Sequence, residues 1–333
     1  YRLVNIVIHT LSALLLFAIA RRTLAMPSIP ESVRANAVVL AFAIAILWAV
    51  HPLQTQGVTY VVQRLESLMA FMFLLTLYLF LRGTQSRMGV AWFILSIITC
   101  WLGMACKPVM VAAGPVVLLY DYAFTAKNVK ELVIRRGWVH VLLIAASFWC
   151  VYLVRGAFNS ASTGRIGVGL NSVNTWEYAR TQPEVILHYL RLAFWPQTLC
   201  IDYRWPVENS ILVIAITSCL VGVMLLLSLF ALWKWPKLGF LGVSFFLILA
   251  PTSSVMPIVD LAFEHRMYLP LACVCTLTVF GIYYLAQRFM EDEAARKWLL
   301  GGLTSLVVLA LMGRTLVRNL DYFEPTRLWT KAI

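Results

Sequence analysis

The residues of this sequence best suited to chemistry are a small charged set placed among His, Tyr, Trp and Pro. They are Arg64 and Glu66, Lys107, Asp202 and Arg204, the run Glu264-His265-Arg266, and Arg318. An arginine presents a planar fork that stays charged and meets phosphate or carboxylate oxygens two at a time. A carboxylate or a histidine beside it can take or orient a proton. Only 13% of the residues are charged, against about 25% in a soluble domain, so this clustering needs a reason. Two readings compete. Residues that flank a membrane span snorkel to the interface, and Trp and Tyr form belts there. Alternatively, the set lines a polar site. All of these residues fall at span ends on one face of the expected bundle, which favours the site.

The elements that must position them are membrane helices. With 61% hydrophobic residues and a mean hydropathy of +0.82, a water-soluble globule could not hide its apolar surface, and a disordered chain has the opposite composition. The 17 Gly and 7 Cys exclude collagen and a disulfide scaffold. The expected fold class is all-α, a polytopic membrane protein. A spanning helix needs about 20 mostly apolar residues. That rule places about ten spans, near 3–20, 36–51, 66–82, 89–105, 108–124, 137–154, 211–233, 238–256, 268–287 and 298–313. The alternating short strands of a barrel do not occur. Gly114-Pro115 interrupts the fifth span, and Ala250-Pro251 falls in the eighth.

Loop charge sets the orientation. With the start of the first span outside, fourteen of the 27 Lys and Arg lie inside, including Arg21, Arg22, Arg82, Lys127, Arg135, Arg136 and Lys237. Eight lie outside once the long loop 155–210 is set aside. The inside loops read as ordinary, short and basic. The net charge of +12 therefore reads as loop charge facing anionic lipid, with no nucleic-acid partner. The long outside loop opens with the Gly/Ser/Asn-rich stretch Asn159–Asn174, read as loop. A helix is expected over 183–195, beginning at Pro183. Glu184, His188 and Arg191 share one face of it, which suggests an interfacial amphipathic helix. The cysteines form no CxxC and no metal-ligand spacing. No Walker loop, HExxH, GxSxG or Rossmann glycine pattern is present. Nothing calls for a cofactor; a divalent metal is compatible with the chemistry but not required by these residues.

Four outside segments carry a resemblance when taken together. They are His51-Pro52-Leu53-Gln54-Thr55-Gln56-Gly57 running on to Gln63-Arg64-Leu65-Glu66; Lys107-Pro108 with the apolar run to Tyr120-Asp121; Tyr189-Leu190-Arg191-Leu192 with Trp195-Pro196 and Cys200-Ile201-Asp202-Tyr203-Arg204-Trp205-Pro206; and Glu264-His265-Arg266-Met267-Tyr268-Leu269-Pro270. Their order and spacing resemble the membrane core of the transmembrane-and-tetratricopeptide-repeat O-mannosyltransferase-like proteins, the bacterial members above all. These belong to the GT-C superfamily of polyprenyl-phosphate-sugar glycosyltransferases. The resemblance spans nearly the whole of residues 1–333, read as one transmembrane core. The opening Tyr1–His9 looks like the family's second helix, and Arg318-Asn319 with Leu328-Trp329 looks like the lead-in to its repeat domain. The chain is therefore expected to be a piece of a longer protein. The first external loop, which in such enzymes usually carries the acidic general base, would precede it, and no catalytic residue is assigned here. No tetratricopeptide repeat is visible in these residues.

The resemblance implies an integral membrane transferase, in a bacterial inner membrane with its active face in the periplasm. Its partners would be a polyprenyl-phosphate-linked sugar, an acceptor protein and membrane lipid. A departing lipid phosphate gains negative charge, which cations and N–H donors stabilise. Arg64 and Arg266, with Lys107 and Arg204 behind them, are the expected phosphate contacts, helped by the helix N-termini that open the third and ninth spans. His51, Gln63, Glu66, Arg191, Asp202, Tyr203, Glu264, His265 and Tyr268 are expected to hold the sugar or acceptor or to support the cations. His51 could instead cap its helix end, Asp202 could serve a turn, and the aromatic residues could be belt residues. At i, i+2 on a helix, Arg64–Glu66 and Glu264–Arg266 would not face each other, so each needs a partner elsewhere. A secondary transporter or lipid flippase is the rival reading. It expects ionisable residues within spans and two matching halves. A non-catalytic membrane scaffold is a third.

Overall fold

A computed structural model of the chain describes residues 2–161, 173–254 and 260–330. In lipid each backbone must satisfy its own hydrogen bonds, so apolar runs of this length become helices. They are α1 (Arg2–Leu24), α2 (Ala37–Val50), α3 (Arg64–Gln85), α4 (Gly89–Met104), α5 (Ala113–Tyr120), α6 (Val129–Ala161), α7 (Thr175–Phe194), α8 (Ile211–Lys234), α9 (Pro236–Leu249), α10 (Leu271–Phe289) and α11 (Glu293–Asp321). No strand occurs among the described residues. The ten segments expected from hydropathy each overlap a helix, but among the described residues seven helices are long and apolar enough to cross a membrane. The segment at α2 is only 14 residues long; it continues through the turn Pro52–Val58 after a bend of 54°. Helices α4 and α9 are apolar but shorter than a full span.

Helix α2 packs against α1, α10 and α11. Its Ile44 and Trp48 are fully buried. The outermost helices show the opposite pattern. In α8 only Thr217 is buried, and in α11 only Arg318 and Asp321. Leu226, Leu227, Trp233 and Leu306 stand exposed on them. A continuous apolar surface of this kind is what a bilayer covers.

Three local expectations are corrected. First, Gly114-Pro115 does not break the fifth segment. Pro115 lies in the first turn of α5, where a missing N–H costs no helical bond. A Cβ on Gly114 would lie 2.9 Å from the Leu143 carbonyl oxygen, so glycine there lets α5 approach α6. Second, the helix expected to start at Pro183 starts at Thr175 and carries Pro183 inside it. Asn174 accepts the Glu177 N–H while Glu177 accepts the Asn174 N–H, a capping box that fixes the earlier start. Its apolar face is not laid on lipid alone: Tyr178, Val185, Ile186, Tyr189 and Leu192 are buried in the protein. Of the loop expected over Asn159–Asn174, residues 162–172 lie outside the described residues, while residues 159–161 extend α6.

The third correction concerns the end expected to be ordinary. There, the helical run of α5 widens into a π turn, Asp121–Thr125. Asp121 is fully buried. Its Oδ2 accepts from Arg136 Nε and from His140 Nε2, both at 2.8 Å, and its Oδ1 accepts from the Thr125 hydroxyl. This cluster joins the end of the α5 segment to α6 and lies inside two candidate spans.

Candidate functional site

The opposite end of the bundle gathers the charged set that opens the sequence. Its keystone is the 3-10 turn Glu264–Met267 between α9 and α10, with all four residues buried. Glu264 Oε1 accepts from the Cys200 N–H at 2.7 Å and the Tyr203 hydroxyl at 2.9 Å. Its Oε2 has no hydrogen-bond partner and stands 3.9 Å from Arg318 Nη2. Burial pushes the Glu264 carboxyl up to about 7, opposed by the Arg318 charge and by the two donors on Oε1.

Arg266 points the other way, into the protein. Its Nη1 donates to the Thr252 and Leu261 carbonyls and to the Tyr178 hydroxyl, and its Nη2 donates to the Asp260 carbonyl. This guanidinium, expected to meet a phosphate, instead fastens the backbone at Thr252 and at residues 260–261 to the Tyr178 hydroxyl of α7. His265 is likewise turned inward: its backbone N–H donates to Gln56 Oε1, which its Nδ1 also meets at 3.0 Å. Burial holds its ring well below the usual imidazole range and neutral. Gln56 Nε2 reaches on to the Ile201 carbonyl, so one buried amide ties three segments.

Tyr268 cannot stack on a sugar. It is fully buried, edge-on to Trp48, with its hydroxyl 2.6 Å from His9 Nδ1. Trp48 Nε1 and Gln54 Nε2 both donate to its carbonyl. His51 caps, but at the start of the turn after it rather than at the end of α2. Its Nδ1 accepts the Leu53 N–H, and its Nε2 meets the Ala193 carbonyl at 3.0 Å.

At the start of α3 the two charges find partners on other elements. Arg64 Nε donates to Asn5 Oδ1 on α1. Glu66 is buried and paired with Lys107, just after α4. The Lys107 side chain remains 24% exposed. The charge of Arg266 also acts on Glu66. Gln63 is half-buried and precedes the first turn of α3 without capping it.

The segment 195–209 covers this end. Asp202 serves a turn: its Oδ1 accepts the Arg204 N–H. Arg204 is exposed, with a left-handed φ of 40°. Tyr203, Trp205 and His188 of α7 form a half-buried box of rings 4.8–6.1 Å apart. Burial and the nearby Arg191 hold His188 down to about 4, so the ring is neutral, and its Nε2 has no partner. Arg191 itself is exposed. Beside this segment a cavity of about 320 Å³ is lined by Thr198, Leu199, Arg314, Val317, Arg318 and Asp321.

The structure thus brings Glu66, Lys107, Glu264, His265, Arg266 and Tyr203 into one buried polar zone. Arg204 and Arg191 stand at its exposed rim, and Tyr268 and His51 lie below it as packing. Sequence reasoning missed Gln56, His9 and Asn5, and it left Arg318 without a role. An i+3 carboxylate, Asp321, was the available signal that Arg318 faces inward. Among the described residues no group of three His, Cys, Asp or Glu side chains could hold a metal ion.

Glu264 makes the fold pH-sensitive. The folded protein keeps its proton up to about pH 7, whereas an unfolded chain releases it near 4.5. Unfolding between these values sheds a proton, so stability falls as pH rises through that window and levels off above it. The full drop is about 3 kcal/mol. Unfolding midpoints of the wild type should decline from pH 5 to 7, and those of Glu264→Gln should not; parallel profiles would refute this.

In comparison with known proteins, the chain matches no family model, no curated protein and no solved structure.

Proposed function

We propose that this chain is the membrane core of a GT-C-type glycosyltransferase. It moves a sugar from a polyprenyl-phosphate carrier to a protein hydroxyl, on the side of the membrane where the Glu264 end opens, the periplasmic face of a bacterial inner membrane. The ten spans of that reading are the seven full-length helices, the bent α2 segment, α4 and α9. The observation that carries the proposal is the buried polar zone at one end of a bundle whose outer helices are apolar. A leaving lipid phosphate would sit at that depth, where cations stabilise its growing charge. Lys107, Arg64 and Arg204 take that role, and Arg266 positions the turn beneath them. The ring box and Glu264–Tyr203 face the sugar. The acceptor class follows the resemblance to the repeat-containing O-mannosyltransferase-like proteins.

The test uses the full-length protein in proteoliposomes with radiolabelled polyprenyl-phosphate sugars and acceptor protein. Wild type should release sugar from the carrier. Lys107→Gln should slow release by about 10²-fold while inserting normally, and Arg64→Ala should do the same. No release from any carrier, or wild-type rates in both variants, would end this reading.

One observation favours the rival transporter. Asp121, Arg136 and His140 are ionisable, buried and within candidate spans, as proton-coupled carriers require. Exchange of labelled lipid across the vesicle wall that Asp121→Asn abolishes, with no donor turnover in wild type, would select it.

A further inference from the structure

Arg318 and Glu264 meet in a sealed space at the outer end of the bundle, their side chains 4% and 0% exposed. Arg318 stands in the last turn of α11, and its Nη1 donates to Asp321 Oδ2 at 3.2 Å. Its Nε and Nη2 have no hydrogen-bond partner, and neither has Glu264 Oε2. Nη2 and Oε2 stand 3.9 Å apart, about 1 Å more than a charge-assisted hydrogen bond. Away from water the attraction between a carboxylate and a guanidinium is strong, so an ionised Glu264 closes that gap. A protonated Glu264 leaves it open. The observed geometry is that of a neutral acid beside a cation already held by another carboxylate.

The gap sits where separate parts of the chain join. Beyond Arg318 the chain runs through Tyr322 into the short helix Pro325–Thr330. Tyr322 and Leu328 are buried against Ile201 of the covering segment, with Tyr60 beside them. The Tyr322 ring centre lies 5.2 Å from the Arg318 guanidinium, so a shift of Arg318 reaches this small core directly. On the other side of the gap, Glu264 Oε1 holds the covering segment through the Cys200 N–H and the Tyr203 hydroxyl. The titratable and charged groups around Glu264 come from three other elements. Arg318, Asp321 and Tyr322 stand on α11, Cys200, Asp202 and Tyr203 on the covering segment, and Tyr189 on α7. His265 and Arg266 flank it in its own turn but are directed elsewhere, onto Gln56 and onto the carbonyls of Thr252, Asp260 and Leu261. Arg318 is the cation whose charge acts on the Glu264 carboxyl.

We propose that Glu264 and Arg318 form a one-proton switch that sets how tightly the chain after α11 docks on the covering segment. With the proton on Oε2 the gap stays open and Arg318 hydrogen-bonds Asp321. When Oε2 gives its proton to external water, the unpaired edge of Arg318 closes on the carboxylate and bridges it to Asp321. Tyr322 and the helix behind it then pack more firmly against Ile201. Docking favours the ionised acid by as much as ionisation favours docking. The switch is independent of the sugar transfer proposed above and is measured without a sugar donor.

Infrared difference spectroscopy of the full-length protein in lipid nanodiscs follows the carbonyl band of the protonated Glu264 carboxyl, assigned by its loss in Glu264→Gln. Hydrogen exchange of residues 322–330, corrected for intrinsic rates, follows docking from acid to alkaline pH. In wild type the band should disappear with a midpoint near 7, and protection of 322–330 should rise several-fold over the same interval. Glu264→Gln should hold 322–330 at the acid level throughout. Arg318→Gln should move the midpoint up by about one unit, a tenfold gain in proton affinity, and abolish the rise in protection. Asp321→Asn removes a competing carboxylate, frees Arg318 for Glu264, and should move the midpoint down. Loosened packing alone does not produce opposite shifts from two neighbouring substitutions. If Arg318→Gln does not fold, Asp321→Asn and Glu264→Gln decide. Wild-type protection that ignores pH, a Glu264 carboxyl ionised throughout, or a midpoint unmoved in the folded variants would overturn the proposal.

Discussion

Arg266→Ala is expected to destabilise the protein by about 3 kcal/mol or more, through the loss of its buried charge-assisted hydrogen bonds and the cavity left behind. The side chain donates to three backbone carbonyls, Thr252, Leu261 and Asp260, and to the Tyr178 hydroxyl. The three carbonyls flank the turn region that follows α9, and α7 also serves it: the Tyr178 hydroxyl donates to the Thr252 carbonyl and Gln182 Nε2 to the Leu261 carbonyl. Removing the guanidinium takes a charge-assisted bond from all four acceptors at once, and the cavity adds to the loss. Lysine should not rescue the fold, because three donors radiating from one point cannot span four acceptors set around a planar fork. Unfolding of detergent-solubilised Arg266→Ala and Arg266→Lys, followed by tryptophan fluorescence, checks this. Should both variants unfold as the wild type does and lose only sugar transfer, Arg266 would be a ligand contact after all. The turn Glu264–Met267 would lose its anchor in Arg266→Ala, so Glu264 and Tyr203 would shift with it; activity alone could not tell the two roles apart.

The residue types of the polar zone were legible because they break an apolar pattern. Charges at the ends of apolar runs can be seen in one dimension, and so can the side of the bundle to which they belong. Partner choice could not be read in the same way. Gln56 serves His265 across 209 positions, and Arg318 faces Glu264 only because α11 packs on the bent segment after α2. An arginine that binds phosphate and one that binds backbone carbonyls have the same neighbours in sequence; only the fold decides whether water and ligand can reach the guanidinium. The start of α7 was readable, since Asn174-Thr175-Trp176-Glu177 spells a capping box. Pro183 misled because proline's preference for a first turn is a weaker signal than a cap with both of its bonds. The bent α2 segment escaped notice because His51-Pro52 reads equally as a helix end and as a kink.

Asp121→Asn is expected to cost about 3–5 kcal/mol, the usual penalty for stripping one partner from a buried ionic cluster. The carboxylate accepts three donors at once: Arg136 Nε, His140 Nε2 and the Thr125 hydroxyl. An amide keeps one acceptor and turns an NH₂ towards donors. Arg136 would then be left with Glu131 at 3.7 Å as its remaining anion, and its Nη2 is already unpaired. The π turn at Asp121–Thr125 directs the carboxylate towards α6, so losing the anchor should loosen the α5–α6 contact that Gly114 permits at its other end. Replacing the whole cluster tells interaction from desolvation. A triple variant, Asp121→Leu with Arg136→Met and His140→Phe, removes every charge together and should regain most of the lost stability, because well-packed apolar groups are often as good as a buried ion cluster. Phe80, whose ring already lies 5.4 Å from that of His140, offers the new phenylalanine a partner. Unfolding midpoints of the single and triple variants in detergent decide the matter: a triple variant weaker than Asp121→Asn would mean that the charges are needed for something packing cannot replace, and would strengthen the transport reading at this end of the bundle.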